Sequence, residues 1–167
     1  MKTLILLLVQ NPPLKSKARR TNSLKINKHC KNKLKKLKPA IADEMDKLVE
    51  QDKQKFIQAN IEQLEKLGED SQERKLKTPY SAKYEKYKKA RGGQVNYTDL
   101  KLTGEFHKSI SLEQQEKGLF LFGSDDEKYQ SLRARYGEIL GVQEDNLEKI
   151  TKGMEPKLNK FLDNYIK

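Results

Sequence analysis

The stretch 110–124, ISLEQQEKGLFLFGS, decides the fold class of this chain. Ile110 and Leu112 alternate with polar neighbours, and this alternation predicts a strand because successive side chains of a strand point to opposite faces. Glu116-Lys117-Gly118 is typical of a turn, and residues 119–122 are apolar on both faces, as in a buried strand. The stretch therefore predicts an antiparallel hairpin whose second strand is buried.

The β-rich region is expected to begin before this hairpin. Leu100 and Leu102 alternate with polar neighbours and run into Thr103-Gly104. We therefore expect a small antiparallel sheet around residues 100–123.

Two helices are expected upstream of the sheet. Apolar residues recur at helical spacing from Ile41 to Leu67, with one break around Asp52, and Gly68 is a suitable C-cap. After a polar loop, a shorter helix is expected within residues 79–93, which end in two glycines.

Two further helices are expected downstream. Ser124 and Glu127 have the spacing of a capping box, which predicts a helix that starts there and ends at Gly137. The apolar stripe over 147–165 predicts a last amphipathic helix, with a kink or restart at Pro156. The predicted fold class is α+β, in which a small antiparallel sheet packs with amphipathic helices and an extended basic N-terminal arm precedes them.

Charge is segregated along the chain, whose formal net charge is +11. Residues 1–40 contain ten Lys, two Arg and no acidic residue, whereas residues 41–167 contain 23 basic and 24 acidic residues. Like charges within one segment repel each other, and such segments act as arms that meet a polyanion or an acidic protein surface. We therefore predict a basic, extended N-terminal arm at 1–40 and a near-neutral α+β domain at 41–167.

The arm begins with a short apolar run, TLILLLV at residues 3–9. We interpret this run as a β-strand that is added to the sheet edge of a neighbouring subunit, with Ile5, Leu7 and Val9 at the interface. The alternative is the apolar part of a secretory signal, although one basic residue alone precedes the run and no small-residue cleavage site follows it. In that case mass spectrometry would find a new N-terminus near residue 14.

The remainder of the arm is basic and lacks aromatic residues, so it has no platform on which single-stranded bases would stack. Two interpretations remain for it, a solvated arm or an arm that becomes ordered against nucleic acid or an acidic protein. The residues assigned to the second interpretation are Lys31, Lys33, Lys35 and Lys36.

Three tyrosines on the second predicted helix, Tyr80, Tyr84 and Tyr87, recur at helical spacing. Such a stripe is more often used for packing than for binding a ligand. The alternative is a contact with a partner, because tyrosine is favoured at protein interfaces.

The sequence indicates no catalytic or metal site. His29, His107 and Cys30 are the chain's only histidines and cysteine, too few for a typical zinc site without added carboxylates. Gly92-Gly93 is not followed by the Lys-Ser/Thr pair of a phosphate-binding loop. One cysteine allows no internal disulfide, and no stretch approaches the ~18–20 apolar residues of a membrane span. We therefore expect no enzymatic activity, no cofactor and no membrane partner.

Segments in a fixed order resemble those of small bacteriophage virion-assembly proteins, the tail-completion or virion-morphogenesis proteins at the junction of head and tail. The stretch from Asp99 to Ile110 resembles their L-x-x-TG-x-L/F-x-x-S-I/M segment through Leu100, Thr103-Gly104 and Phe106. The resemblance spans roughly residues 56–166. Ahead of this stretch, residues 79–89 resemble a P-Y-S … Y … K segment. After it, residues 118–124 resemble a hairpin strand ending in Gly-Ser, and 136–142 an aromatic-Gly … hydrophobic-Leu-Gly-Leu passage before a closing amphipathic helix.

The resemblance implies a structural virion protein that forms a six-fold or twelve-fold ring in the neck or upper tail. Its neighbours would be portal-vertex, adaptor or tail-tube proteins, with packaged DNA as a further partner of the basic arm. Such a protein would be assembled in the host cytoplasm and would reside in the virion, at the head–tail junction or in the tail.

The rival hypothesis is a non-enzymatic nucleic-acid-binding protein that uses the basic arm. A salt titration against duplex DNA separates the two hypotheses, because binding through phosphates weakens by a slope of about 0.9 per contact. A nucleic-acid-binding protein would lose this binding when residues 14–38 are deleted, whereas a virion protein would be recovered in particles.

Overall fold

The computed structural model describes residues 28–76 and 80–166 and is an α+β structure. The elements are α1 (Lys28–Glu62), which continues as a π-helical segment (Gln63–Leu67), α2 (Ala82–Lys89), α3 (Glu105–Lys108), β1 (Ile110–Glu116), β2 (Leu119–Ser124), α4 (Tyr129–Tyr136) and α5 (Glu144–Ile166).

Helix α1 differs from its prediction at its start. Residues 28–40, assigned by the sequence to an extended arm, form its first turns and include Pro39, so the predicted boundary at residue 40 lies inside a helix. The polar residue that interrupts the apolar stripe, Asp52, lies on the buried side of the helix, where its carboxylate pairs with Lys157 of α5 at 3.1 Å. The predicted end is confirmed, because Gly68 caps the helix in the left-handed conformation.

The predicted hairpin is confirmed as a two-stranded antiparallel sheet of β1 and β2, with a bulge between Gln114 and Glu116. The prediction that β2 is buried on both faces is wrong, because Phe120 is buried and its neighbours in the strand are half-buried. The expected strand at Leu100 and Leu102 is also wrong. This segment is irregular, and Leu100 has a φ of +55°, which no strand residue adopts.

The two downstream helices lie where the sequence predicts them, although their local details differ. Ser124 ends β2 and its hydroxyl pairs with that of Ser109 at 2.6 Å, so no capping box forms and α4 begins later, after Lys128. Gly137 ends α4 as expected. Helix α5 runs through Pro156 as one helix, so the predicted restart is absent.

One core joins α1, the hairpin and α5. Asp46 of α1 accepts hydrogen bonds from the Gln114 side chain (2.8 Å) and the Gly118 backbone (3.1 Å), which hold the hairpin's turn against the helix. The buried apolar residues are Leu48, Val49, Phe56, Ile57, Leu64, Leu76, Phe106, Ile110, Leu112, Phe120, Ile139, Leu140 and Met154.

Two buried amides at the end of α1 fix the connection between α4 and α5. Asn60 Nδ2 and Gln63 Nε2 both donate to the Gly141 carbonyl, at 2.8 and 2.7 Å. The Gln63 side chain also accepts from the Gln143 backbone N–H at 3.1 Å. Because buried backbone groups must be paired, these side chains replace the secondary structure that the connection lacks.

Candidate partner-binding groove

A groove of about 670 Å³ lies between α2, the irregular segment before α3, and α4. It is lined by aromatic and aliphatic side chains, with charged residues among them. Its lining includes Tyr80, Ser81, Tyr84, Leu100, Leu102, Thr103, Gly104, Phe106, Leu132 and Tyr136.

Three separate stretches of the sequence therefore meet at one surface. Tyr80-Ser81 comes from the start of α2, Thr103-Gly104 from the turn into α3, and Tyr136 from the end of α4. Ser81 caps α2 by accepting the Tyr84 backbone N–H at 3.3 Å, and Gly104, with a φ of +84°, caps α3.

The three tyrosines form one row of rings, of which Tyr80 and Tyr84 line the groove and Tyr87 does not. The rings of Tyr80 and Tyr84 lie 4.9 Å apart and both line the groove, but the Tyr80 hydroxyl is bonded inside the protein. The Tyr87 ring is 45% exposed and lies 3.7 Å below the Arg91 guanidinium. Tyr84 thus faces the groove, whereas Tyr87 lies next to it, with 6.4 Å between the ring centroids, and is more open to solvent.

A buried ion pair supports the floor of the groove. Lys88 and Asp99 are 1% and 3% exposed and bond directly to each other. The Tyr80 hydroxyl donates to Asp99 at 2.8 Å and accepts from Lys88 at 3.0 Å. Burial would raise the pKa of Asp99, but its hydrogen bonds with Lys88, the Lys101 backbone and Tyr80 hold that pKa below the usual value.

The segment that forms one wall of the groove is anchored on the π-helical end of α1. Glu65 pairs with Lys101 at 2.7 Å and with Nδ1 of His107 at 3.0 Å, and its carbonyl accepts the Tyr97 hydroxyl at 2.6 Å. Burial lowers the pKa of His107 more than Glu65 raises it. His107 is therefore a buried residue that links α3 to the π-helical end of α1.

The wall carries backbone strain and an exposed apolar side chain. Leu100 adopts a φ of +55°, a left-handed conformation that is rare for residues with a branched side chain. Leu102, two residues later, is 37% exposed. Strained residues persist where the surrounding structure fixes them, which is common at binding surfaces.

The other residues that the sequence assigned to an interface are distant from the groove or outside the described residues. Ile5, Leu7 and Val9 lie outside them. Lys31 lies in the first turn of α1, and the exposed side chains of Lys35 and Lys36 follow it on the same helix. Lys33, half-buried, donates to the carbonyl of Ile166 at 2.9 Å.

Within residues 28–76 and 80–166, no group of three or more His, Cys, Asp or Glu side chains is arranged to hold a metal ion. In the same part of the chain, no helix is both long enough and apolar enough to cross a membrane.

Sequence reasoning missed the groove and its buried ion pair. Lys88 lies on a helix with three other lysines, a pattern typical of a solvated face, and Asp99 lies in a predicted strand edge. The signal that the sequence did offer was Gly93, since a Cβ there would lie 2.7 Å from Lys88 Cγ. This glycine lets the chain turn tightly over the lysine stem.

Comparison with protein-family models, with curated proteins and with solved structures finds no match for this chain.

Proposed function

We propose that this chain is a non-enzymatic structural protein of a tailed bacteriophage virion. In this proposal it forms a ring in the neck or upper tail, as a tail-completion or connector component, and contacts portal-vertex, adaptor or tail-tube proteins. It would be assembled in the host cytoplasm and would reside at the head–tail junction or in the tail.

The convergence of sequence segments on the groove carries the proposal. The stretches that resemble tail-completion proteins, at Tyr80-Ser81, Thr103-Gly104 and Tyr136, are far apart in the sequence and line one surface. Segments that recur together for a shared role are expected to meet at one site. The groove's exposed Leu102 and its aromatic lining suit a protein partner, since interface cores favour aromatic side chains.

The sheet offers a second point of assembly. A two-stranded sheet is marginal by itself, and within the described residues neither β1 nor β2 has a further strand at its outer edge. Such an edge presents unpaired backbone groups that an added strand would satisfy. Residues 3–9 of a neighbouring subunit supply a strand of suitable composition.

Electron microscopy and light scattering of the purified full-length chain test the proposal. We expect closed rings of uniform copy number, alone or with portal-vertex proteins, and we expect mass spectrometry of purified virions to find the chain. A strictly monomeric chain that is absent from particles would contradict the proposal.

A pair of matched variants tests the groove itself. Leu102→Glu places a charge on the groove's exposed apolar side chain, whereas Ile166→Glu makes the same kind of change at the exposed end of α5. Because both side chains are exposed, both variants should fold. We expect ring formation to fail for Leu102→Glu alone, and equal assembly of the two variants would exclude the groove as the contact.

A further inference from the structure

Helix α2 carries a basic face that no acidic residue neutralises. Lys83, Lys86, Lys89 and Arg91 are exposed, and no carboxylate of the described residues lies within 4.0 Å of their charged groups. Glu85, the one acidic residue of the helix, is half-buried and pairs with none of them. We call these four cations the α2 basic face.

The face is unusual for this molecule. Some exposed lysines lie beside acids, as Lys66 does with Glu62 at 2.7 Å and Lys152 with Glu148 at 2.8 Å. In the described part of residues 41–167, other exposed lysines without an ion pair stand singly along the chain, at 108, 128, 149 and 160, whereas three of them and Arg91 fall within residues 83–91. Their concentration on one short helix is a local feature.

The geometry of the helix directs these charges to solvent together. An α-helix turns 100° per residue, so Lys83, Lys86 and Lys89, at i, i+3 and i+6, occupy a sector of about 120° around the axis of α2. This sector lies opposite the buried Lys88. The three span about 9 Å along the helix axis. Arg91 extends the row, and its guanidinium carbon lies 3.7 Å from the centre of the Tyr87 ring.

The chemistry of the face favours phosphates over an acidic protein. Lysine is depleted at protein–protein interfaces, whereas Lys and Arg supply most contacts to the nucleic-acid backbone. Duplex DNA carries one negative charge per about 1.7 Å of its axis, so a 9 Å row of cations lies opposite several phosphates. Aromatic groups for base stacking are limited to Tyr87, whose face Arg91 covers, so contact with bases is not expected.

We infer that the α2 basic face binds the phosphate backbone of double-stranded DNA, without sequence preference and separately from the basic N-terminal arm. Residues 28–40 of that arm are in the first turns of α1. The segment that follows α2 contacts the opposite end of α1, where the Tyr97 hydroxyl donates to the Glu65 carbonyl. The inference does not depend on the virion proposal, because ring formation and DNA binding are measured independently.

Fluorescence anisotropy with a labelled duplex DNA tests the inference in the full-length chain. The triple variant Lys83→Gln/Lys86→Gln/Lys89→Gln is compared with Lys66→Gln/Lys117→Gln/Lys152→Gln, which removes three exposed but paired lysines and so the same net charge. Both triple variants leave the basic N-terminal arm unchanged. We expect the α2 variant to bind about tenfold more weakly or worse and its salt slope to fall by about 2.7, with little change in the control.

Two outcomes would overturn the inference. Equal losses in the two triple variants would mean that net charge alone matters. Polyglutamate bound as tightly as DNA, with the same sensitivity to the α2 variant, would assign the face to an acidic protein instead. The unaltered chain and the two triple variants should have the same thermal midpoint, which would exclude unfolding as the cause of a loss of DNA binding.

Discussion

At the scale of single residues, the groove depends on one buried ion pair. Lys88→Met removes the cation and leaves the Asp99 carboxylate buried with neutral partners, among them the Tyr80 hydroxyl, the Lys101 backbone N–H and the Gln94 side chain. Breaking one side of a buried pair destabilises a protein by about 3–5 kcal/mol. We expect a loss of this size in the free energy of unfolding, measured by urea titration.

The matched control is Lys152→Met, which breaks an exposed pair of the same kind on α5. Solvent screens an exposed ion pair, which therefore contributes little to stability, so this variant should be near neutral. Similar losses in the two variants would mean that the Lys88–Asp99 pair does not hold the groove together.

His107 should make the stability depend on pH. Its Nδ1 faces Glu65, Lys101 and Asp99 act on it from the adjacent segment, and its buried Nε2 has no partner among the described residues. Burial lowers its pKa in the folded protein, so the unfolded chain takes up a proton first, near pH 6.5. Stability is therefore complete above about pH 6.5 and falls below it, by at most about 1.4 kcal/mol per pH unit.

Urea midpoints at pH 7.5 and 5.5 measure this dependence, with His107→Gln as the comparison. The other histidine, His29, is present in both proteins, so the difference between them isolates His107. We expect the drop to be smaller in the variant. Equal drops would show that the buried histidine is not the titrating group.

At the scale of elements, Gly68 joins the end of α1 to the groove's supporting segment. Its φ is +62°, and a Cβ there would lie 2.6 Å from the Tyr97 ring and 2.9 Å from the Thr98 carbonyl. Gly68→Ala should therefore lower the free energy of unfolding by about 2–4 kcal/mol, through left-handed strain and overpacking.

Gly153 is the matched control for this substitution. It lies inside α5, where a Cβ would meet nothing within 4 Å. Gly153→Ala should raise stability by about 0.5–1 kcal/mol, because alanine is the better helix former. If both substitutions change the thermal midpoint in the same direction, the close approach at Gly68 does not determine the outcome.

Elements with a strong periodic pattern are those that the sequence predicts well. The hairpin at 110–124, the end of α1 at Gly68 and the stripe of α5 follow from apolar spacing and glycine alone. The prediction of a strand at Leu100 and Leu102 fails because Leu100 packs against the core from a left-handed backbone, while Leu102 is exposed in the groove. The groove could not be predicted either, since it needs three segments that only tertiary packing brings together.

On the scale of the whole molecule, the buried core of the described residues lies well inside the chain. Every buried apolar residue described lies between Leu48 and Met154, and Asp46 and Asp52 of α1 hold the hairpin and α5 in place. A chain that begins at residue 28 should therefore keep the thermal midpoint of the full-length protein within a few degrees.

The same truncation should abolish assembly, because the strand proposed to pair with a neighbouring sheet lies in residues 3–9. A full-length variant with Ile5, Leu7 and Val9 each changed to Ser separates this strand from the charge of the arm, since it leaves every basic residue in place. We expect light scattering to find monomers for both proteins and rings for the unaltered chain. Rings from the truncated protein would mean that assembly uses the body alone, through the groove between α2 and α4.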